Sequence, residues 1–184
     1  MKTYLVFLRG VNVSGKNIIK MAVLKEVLLQ NDFAYVSTYV QSGNVVVRSQ
    51  QSKEDVRNRM HRLIQDELQL TVPVFVFTVD EVMHILEQAP FPADAEPNKA
   101  FVTFLDPIPQ SELIEKLADF AFETEQYQLT EKVLYFYVPN GMGKSKMNNN
   151  FFENKLKVTA TGRNLNTIKK MLELAQKALT EINM

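Results

Sequence analysis

The chain has 184 residues, 46% of them hydrophobic, and contains no cysteine. That is enough for one domain of moderate size or two small ones packed together. It excludes disulfides, thiolate nucleophiles and Cys-based zinc or iron–sulfur sites, and with two histidines no metal or cofactor is expected. The formal net charge is zero, but the charges are partitioned. Residues 1–25 hold five basic groups (Lys2, Arg9, Lys16, Lys20, Lys25) and no acid, residues 78–131 hold twelve acids against Lys99 and Lys116, and residues 133–172 hold seven basic groups against Glu153. Such partition points to an anionic partner for the basic segments. The opening MKTYLVFLRGVNV is no signal peptide, since its apolar run stops at Arg9. The longest uninterrupted apolar run, Val133–Val138, is a strand's length and far short of a membrane span. A soluble cytoplasmic protein without membrane association is expected.

In chain order, β-branched and alternating runs predict strands near 3–8, 35–41, 44–48, 73–78, 99–105, 123–129, 132–138 and 157–161. Helical spacing of Met21, Leu24 and Leu28 predicts a first helix. Val56, Met60, Leu63 and Ile64 predict a second, opened by a Ser52-x-x-Asp55 cap. Val82, Ile85, Leu86 and Ala89 line a third helix, and Leu113, Leu117, Phe120 and Ala121 a fourth. A short fifth lies near 146–155, and Leu165, Ile168, Met171, Leu172, Ala175 and Leu179 mark the last, near 166–181. Residues 1–78 and 98–161 each read β-α-β-β-α-β, the ferredoxin-like split βαβ order. The fold class is therefore α+β, two tandem ferredoxin-like halves with antiparallel sheets. Residues 1–89 form the first half with a connecting helix, the Pro-rich 90–97 a linker, and 98–184 the second half with the C-terminal helix.

Glycine is scarce. Average usage would give about thirteen; the chain has six, at 10, 15, 43, 141, 143 and 162. Each lies in a polar connection where positive φ or close approach is needed; Gly43-Asn44, for one, suits a two-residue hairpin. Split βαβ topology sends loop 9–17 and hairpin 41–44 to one end of the first half, and loops 139–147 and 161–167 to one end of the second, so each pair should touch.

Gly10-Val11-Asn12-Val13-Ser14-Gly15-Lys16-Asn17 is one residue from the phosphate-cradling pattern G-x-x-x-x-G-K-[ST]. Asn17 lacks the hydroxyl that would hold magnesium, which leaves a looser anion-binding loop at a helix N-terminus. Gly141-Met142-Gly143-Lys144-Ser145-Lys146 suits an anion nest or a solvated loop. In Thr161-Gly162-Arg163-Asn164-Leu165-Asn166-Thr167, Asn164 or Asn166 can serve as the N-cap of the last helix. Arg163 beside free helix N–H groups is also a place for a carboxylate or phosphate. His61 and His84 read as surface residues, and no nucleophile has a base placed beside it, so no catalytic residue is assigned. The aromatic strand Tyr135-Phe136-Tyr137 lacks the surrounding RNA-recognition pattern.

Leu8-Arg9-Gly10-Val11-Asn12-Val13-Ser14-Gly15-Lys16-Asn17, Thr38-Tyr39-Val40-Gln41-Ser42-Gly43-Asn44, Ser145-Lys146 and Thr161-Gly162-Arg163-Asn164-Leu165-Asn166-Thr167 resemble a bacterial family known only as a domain of unknown function, typified by L-R-G-I-N-V-G-G-K-N near its start. The resemblance covers nearly the whole chain and implies two ferredoxin-like halves and no activity. Ser14 stands where the family usually has Gly, and Leu165 where Trp is common.

The leading functional expectation is binding of a phosphate- or carboxylate-bearing small molecule. Arg9, Lys16, Lys146 and Arg163 would supply charge, while Asn12, Gln41, Asn44, Ser145, Asn164 and Thr167 would orient the ligand. A nucleic-acid-binding module, with steep salt dependence, and a protein-interaction or homo-oligomerisation module, docking acidic middle to basic ends, are the alternatives.

Overall fold

The first strand, β1 (Lys2–Leu8), is buried at every position after Lys2, as a strand must be when it is covered on both faces and paired on both edges. The computed structural model describes residues 1–120, 122–143 and 145–180 and places β1 in that position. It pairs antiparallel with β3 (Asn44–Ser49) on one side and β4 (Val74–Thr78) on the other. With β2 (Tyr35–Tyr39) outside β3, the sheet order is β2-β3-β1-β4. Helices α1 (Met21–Gln30) and α2 (Lys53–Leu68) cross over between strands. Tyr4, Val6 and Leu8 meet Leu24 and Leu28 of α1 and Val56, Met60 and Ile64 of α2 in one buried cluster. Burying each such side chain stabilises by about 1.5–3 kcal/mol.

The order repeats. After α3 (Val79–Glu87) come β5 (Ala100–Asp106), α4 (Ser111–Ala118), β6 (Gln126–Leu129), β7 (Val133–Tyr137), α5 (Asn149–Leu156) and β8 (Thr159–Asn164), with sheet order β6-β7-β5-β8. Leu105, Leu134, Phe136, Phe152, Leu156 and Ala160 form its core, and Phe101 stacks on Phe136 with ring centroids 4.9 Å apart. Helix α6 (Leu165–Thr180) closes the described chain. The fold is α+β: two tandem four-stranded antiparallel sheets of ferredoxin-like order.

Several element ends differ from the sequence reading. β8 runs to Asn164 rather than 161, because Phe101 and Val102 of β5 continue the ladder opposite Asn164 and Arg163. The β2–β3 turn is not a two-residue hairpin: Tyr39 pairs with Asn44, leaving Val40–Gly43 as a four-residue turn with Val40 and Gly43 at positive φ. α4 stops at Ala118, so Phe120 lies past the helix and is exposed; Ala121 lies outside the described residues. In α6, Ala178 is buried and Leu179 exposed. The compact units are Met1–Leu86 with Lys169 onward, and Glu87–Ile168. The last helix thus changes unit at Lys169, and the Pro-rich stretch belongs to the second unit, where the Pro97 carbonyl accepts from Leu165 N at 3.0 Å.

Helix ends are held by side chains. Ser52 Oγ accepts from Asp55 N at 3.1 Å and donates to the Asp55 carboxylate at 2.7 Å. At α3, Thr78 Oγ1 accepts from Glu81 N while Glu81 Oε2 accepts from Thr78 N, a reciprocal capping box. In the first unit the buried Arg48 donates from Nη1 to the Ala178 carbonyl at 3.2 Å, placing a cation on the last turn of α6, where carbonyls lack helical partners.

Burial pushes the Glu81 carboxyl upward in pKa, but its hydrogen bond to the Lys53 ammonium and the Thr78 N–H outweigh this, so it lies below its ordinary value. A carboxyl depressed in the folded state contributes stability that is present above its unfolded pKa and is lost as pH falls through the folded one. Glu81→Gln should therefore lower stability near neutral pH by about 0.5–1 kcal/mol, a pair this exposed being screened by solvent. Denaturant titrations from pH 6 to pH 2.5 should show the deficit closing with acid.

Candidate functional site

The glycine-bearing end of the first unit is built from connections that the strands deliver to one place. In the first unit, Leu8 N donates to the Gly43 carbonyl at 2.8 Å and Arg9 N to the Pro73 carbonyl at 3.0 Å. Gly43 sits at φ +72°, and a Cβ there would lie 2.7 Å from Leu8 Cβ, so only glycine lets the turn close over β1. Loop 9–17 and the 40–43 turn touch, as topology requires. Their join is Asn12: its Nδ2 donates to the Gln41 carbonyl at 2.6 Å and the Ile19 carbonyl at 2.8 Å, and its Oδ1 accepts from Ile19 N at 2.8 Å.

The loop itself is a small hairpin. Asn12 N donates to the Asn17 carbonyl and Lys16 N to the Val13 carbonyl. Ser14 and Gly15 at its tip both have positive φ, the pattern of a type I′ turn. Asn17 Nδ2 returns to the Gly10 carbonyl at 3.1 Å. Helix α1 starts only at Met21, so the loop does not cradle a helix N-terminus, and the N–H groups of Asn12, Lys16 and Ile19 are engaged within it. The segment therefore does not stand at a helix N-terminus, where the glycine pattern placed it.

The sequence-derived residues of this unit therefore divide. Asn12 holds the two connections together. Asn44 is fully buried and donates to the Tyr39 carbonyl and Ser42 Oγ. Lys16 and Gln41 are exposed, and Arg9 is half-buried. Sequence reasoning missed what surrounds them: Val13, Ile18 and Val40 are 57%, 65% and 52% exposed. Val13 adjoins Asn12 itself, and Ile18 and Val40 adjoin Ile19 and Gln41, the residues its side chain ties. The available signal was three aliphatic residues inside otherwise polar glycine loops.

In the second unit, Ser145 Oγ accepts from Met147 N at 2.9 Å, Asn148 caps α5 through Phe151 N, and Lys146 is exposed. Lys144 lies outside the described residues. Asn164 is the N-cap of α6, its Oδ1 accepting from Thr167 N at 2.9 Å. Gly162 faces Thr103 and Asn149, whose oxygens would lie 2.7 and 2.8 Å from a Cβ, which brings β8 against the start of α5. Arg163 lies in β8, where Nη1 donates to Thr161 Oγ1 at 2.9 Å and the Gly162 carbonyl at 2.8 Å. Its guanidinium is desolvated, which pulls its pKa down to about 10. Arg163 thus acts as a brace on its own strand. Among the described residues, no three His, Asp or Glu side chains form a group that could hold a metal ion, and no helix is long and apolar enough to cross a membrane.

Two substitutions separate bracing from display. Asn12→Ala removes three hydrogen bonds and puts alanine at φ +55°, so it should cost about 1–3 kcal/mol in denaturant unfolding and speed amide exchange at Ile19. Arg163→Met leaves the buried Thr161 hydroxyl and the Gly162 carbonyl without that donor and should lower stability by about 1–3 kcal/mol, read as a lower melting temperature.

The profile of the family "Protein of unknown function (DUF1697)" matches residues 1–135. Among solved structures, the conserved bacterial protein SP0830 from Streptococcus pneumoniae is similar, with a TM-score of 0.73 at 18% identity, covering 95% of this chain and 98% of that one. At that identity the likeness concerns the fold. A search of curated proteins finds no match.

Proposed function

The chain belongs to the DUF1697 family, and with no activity to inherit from it we propose, from the surface itself, that the first unit recognises an acidic, aliphatic-bearing segment of a partner protein. One observation carries this reading. Asn12 ties its loop to the 40–43 turn through the Gln41 carbonyl and to Ile19 through two further hydrogen bonds, and next to Asn12, Ile19 and Gln41 in the chain stand the exposed Val13, Ile18 and Val40. Exposed aliphatics on a pre-organised loop lose little conformational freedom on binding, and each gains from burial. Residues 9–20 and 40–43 carry Arg9, Lys16 and Lys20 and no acid, which favours an acidic counterpart. A free phosphate or carboxylate would use Lys16 and Gln41 but gain nothing from the three aliphatics. That favours the interaction reading over a small anionic ligand.

Selection of displayed peptides on the full chain tests it. Enriched peptides should place Asp or Glu beside aliphatic residues and bind more weakly as salt rises. Ile18→Ser with Val40→Ser should weaken a selected peptide by roughly tenfold, and Lys16→Glu should weaken it further, with melting temperatures unchanged because all three side chains are exposed. Peptides that lack acids, or that bind these variants as well as wild type, would refute the reading. A phosphate-induced rise in melting temperature that Lys16→Met abolishes would assign the surface to a small anion instead.

A further inference from the structure

We propose that the second unit carries a binding site for one planar, uncharged heteroaromatic ring, of the kind a nucleobase presents, at the outer edge of its sheet. A cavity of about 90 Å³ lies there. The cavity is open to solvent on one side, so a planar ring system can lie partly inside it and partly across its mouth. Phe91 between its two prolines forms one wall, and Gln126, Gln128, Tyr135 and Tyr137 form the other.

The ladder explains why these four converge. Gln126 stands opposite Tyr137 and Gln128 opposite Tyr135, and alternate residues of a strand share a face. The other face of the same strands is committed to the core through Tyr127, Leu134 and Phe136. Phe91 meets Tyr135 edge-on, with ring centroids 6.0 Å apart and planes at 81°. Tyr135 is buried while Gln126 and Gln128 are exposed, so the cavity has an aromatic floor and a carboxamide mouth.

Those groups define the ligand. None of the lining residues is acidic or basic, so the site does not select for charge. Each carboxamide presents one donor side and one acceptor side in a plane, which complements the edge of a base as Gln does for adenine. Aromatic rings stack on any base. All of its lining residues belong to the second unit, and the inference does not rest on the surface proposed for the first.

The test uses the full chain, labelled with nitrogen-15, titrated with adenosine and with uridine while the side-chain amides of Gln126 and Gln128 are followed by NMR. Saturable shifts of both amides are expected in the millimolar range or below. The double variant Gln126→Ala with Gln128→Ala, followed through the backbone amides of β6 and β7, should weaken binding by roughly tenfold at an unchanged melting temperature, both side chains being exposed. Tyr137→Leu should weaken it independently by loss of stacking. The proposal is overturned if the amides do not move in the millimolar range, if the double variant binds as well as wild type, or if a methyl glucoside or a proline-rich peptide shifts these amides where nucleosides do not.

Discussion

The first unit is organised by the requirement that β1, apolar on both faces, be paired along both edges. Once β3 and β4 flank it, the backbone leaving Leu8 has no freedom. Leu8 N must meet Gly43, and Arg9 N must meet Pro73, so the connections after β1 and β2 and the chain entering β4 converge at one point. Everything displayed at that end is displayed because a central strand stops there. The half-extended hairpin from Asn12 to Asn17, the four-residue turn before Asn44 and the contact between them follow from this convergence.

Element order was legible in the sequence, and so were the helix starts written in side-chain chemistry. Ser52 caps α2 as its spacing indicates, of the two candidates Asn164 and Asn166 it is Asn164 that caps α6, and the apolar faces of α1 and α2 fall on the residues that periodicity selects. What failed depends on partners distant in the chain. The extension of β8 to Asn164 is decided by the start of β5, and the length of the β2–β3 turn by which residue of β3 pairs with Tyr39. Within the Pro-rich stretch, which proline marks as a connection, Phe91 meets Tyr135 and the Pro97 carbonyl accepts from Leu165, neighbours that no local pattern names.

The candidate site was legible in place but not in role. The motifs locate the loops correctly, yet a sequence cannot separate an asparagine that faces a ligand from one that closes its own backbone. Asn12, Asn17 and Asn44 all do the latter. Asparagine also shares with glycine the burden of left-handed backbone: Asn12 and Asn17 adopt positive φ alongside Gly10 and Gly15, as its side chain permits. Few glycines therefore did not mean few unusual turns. Ser14, where the resembling family has glycine, sits in the same region of φ without an amide to ease it.

The bond from Arg48 to Ala178 also sets a timetable for biosynthesis. The first unit is discontinuous, Met1–Leu86 being completed by residues from Lys169 onward. A ribosome adding about 5–20 residues per second finishes the strands of this unit several seconds before the last turn of α6 exists. Through that interval the nascent sheet holds a guanidinium that the finished protein buries, with no helix end yet to receive it. The unit whose sequence emerges first is therefore not the first to be complete, and the whole second unit is synthesised while its neighbour is still waiting for its final helix.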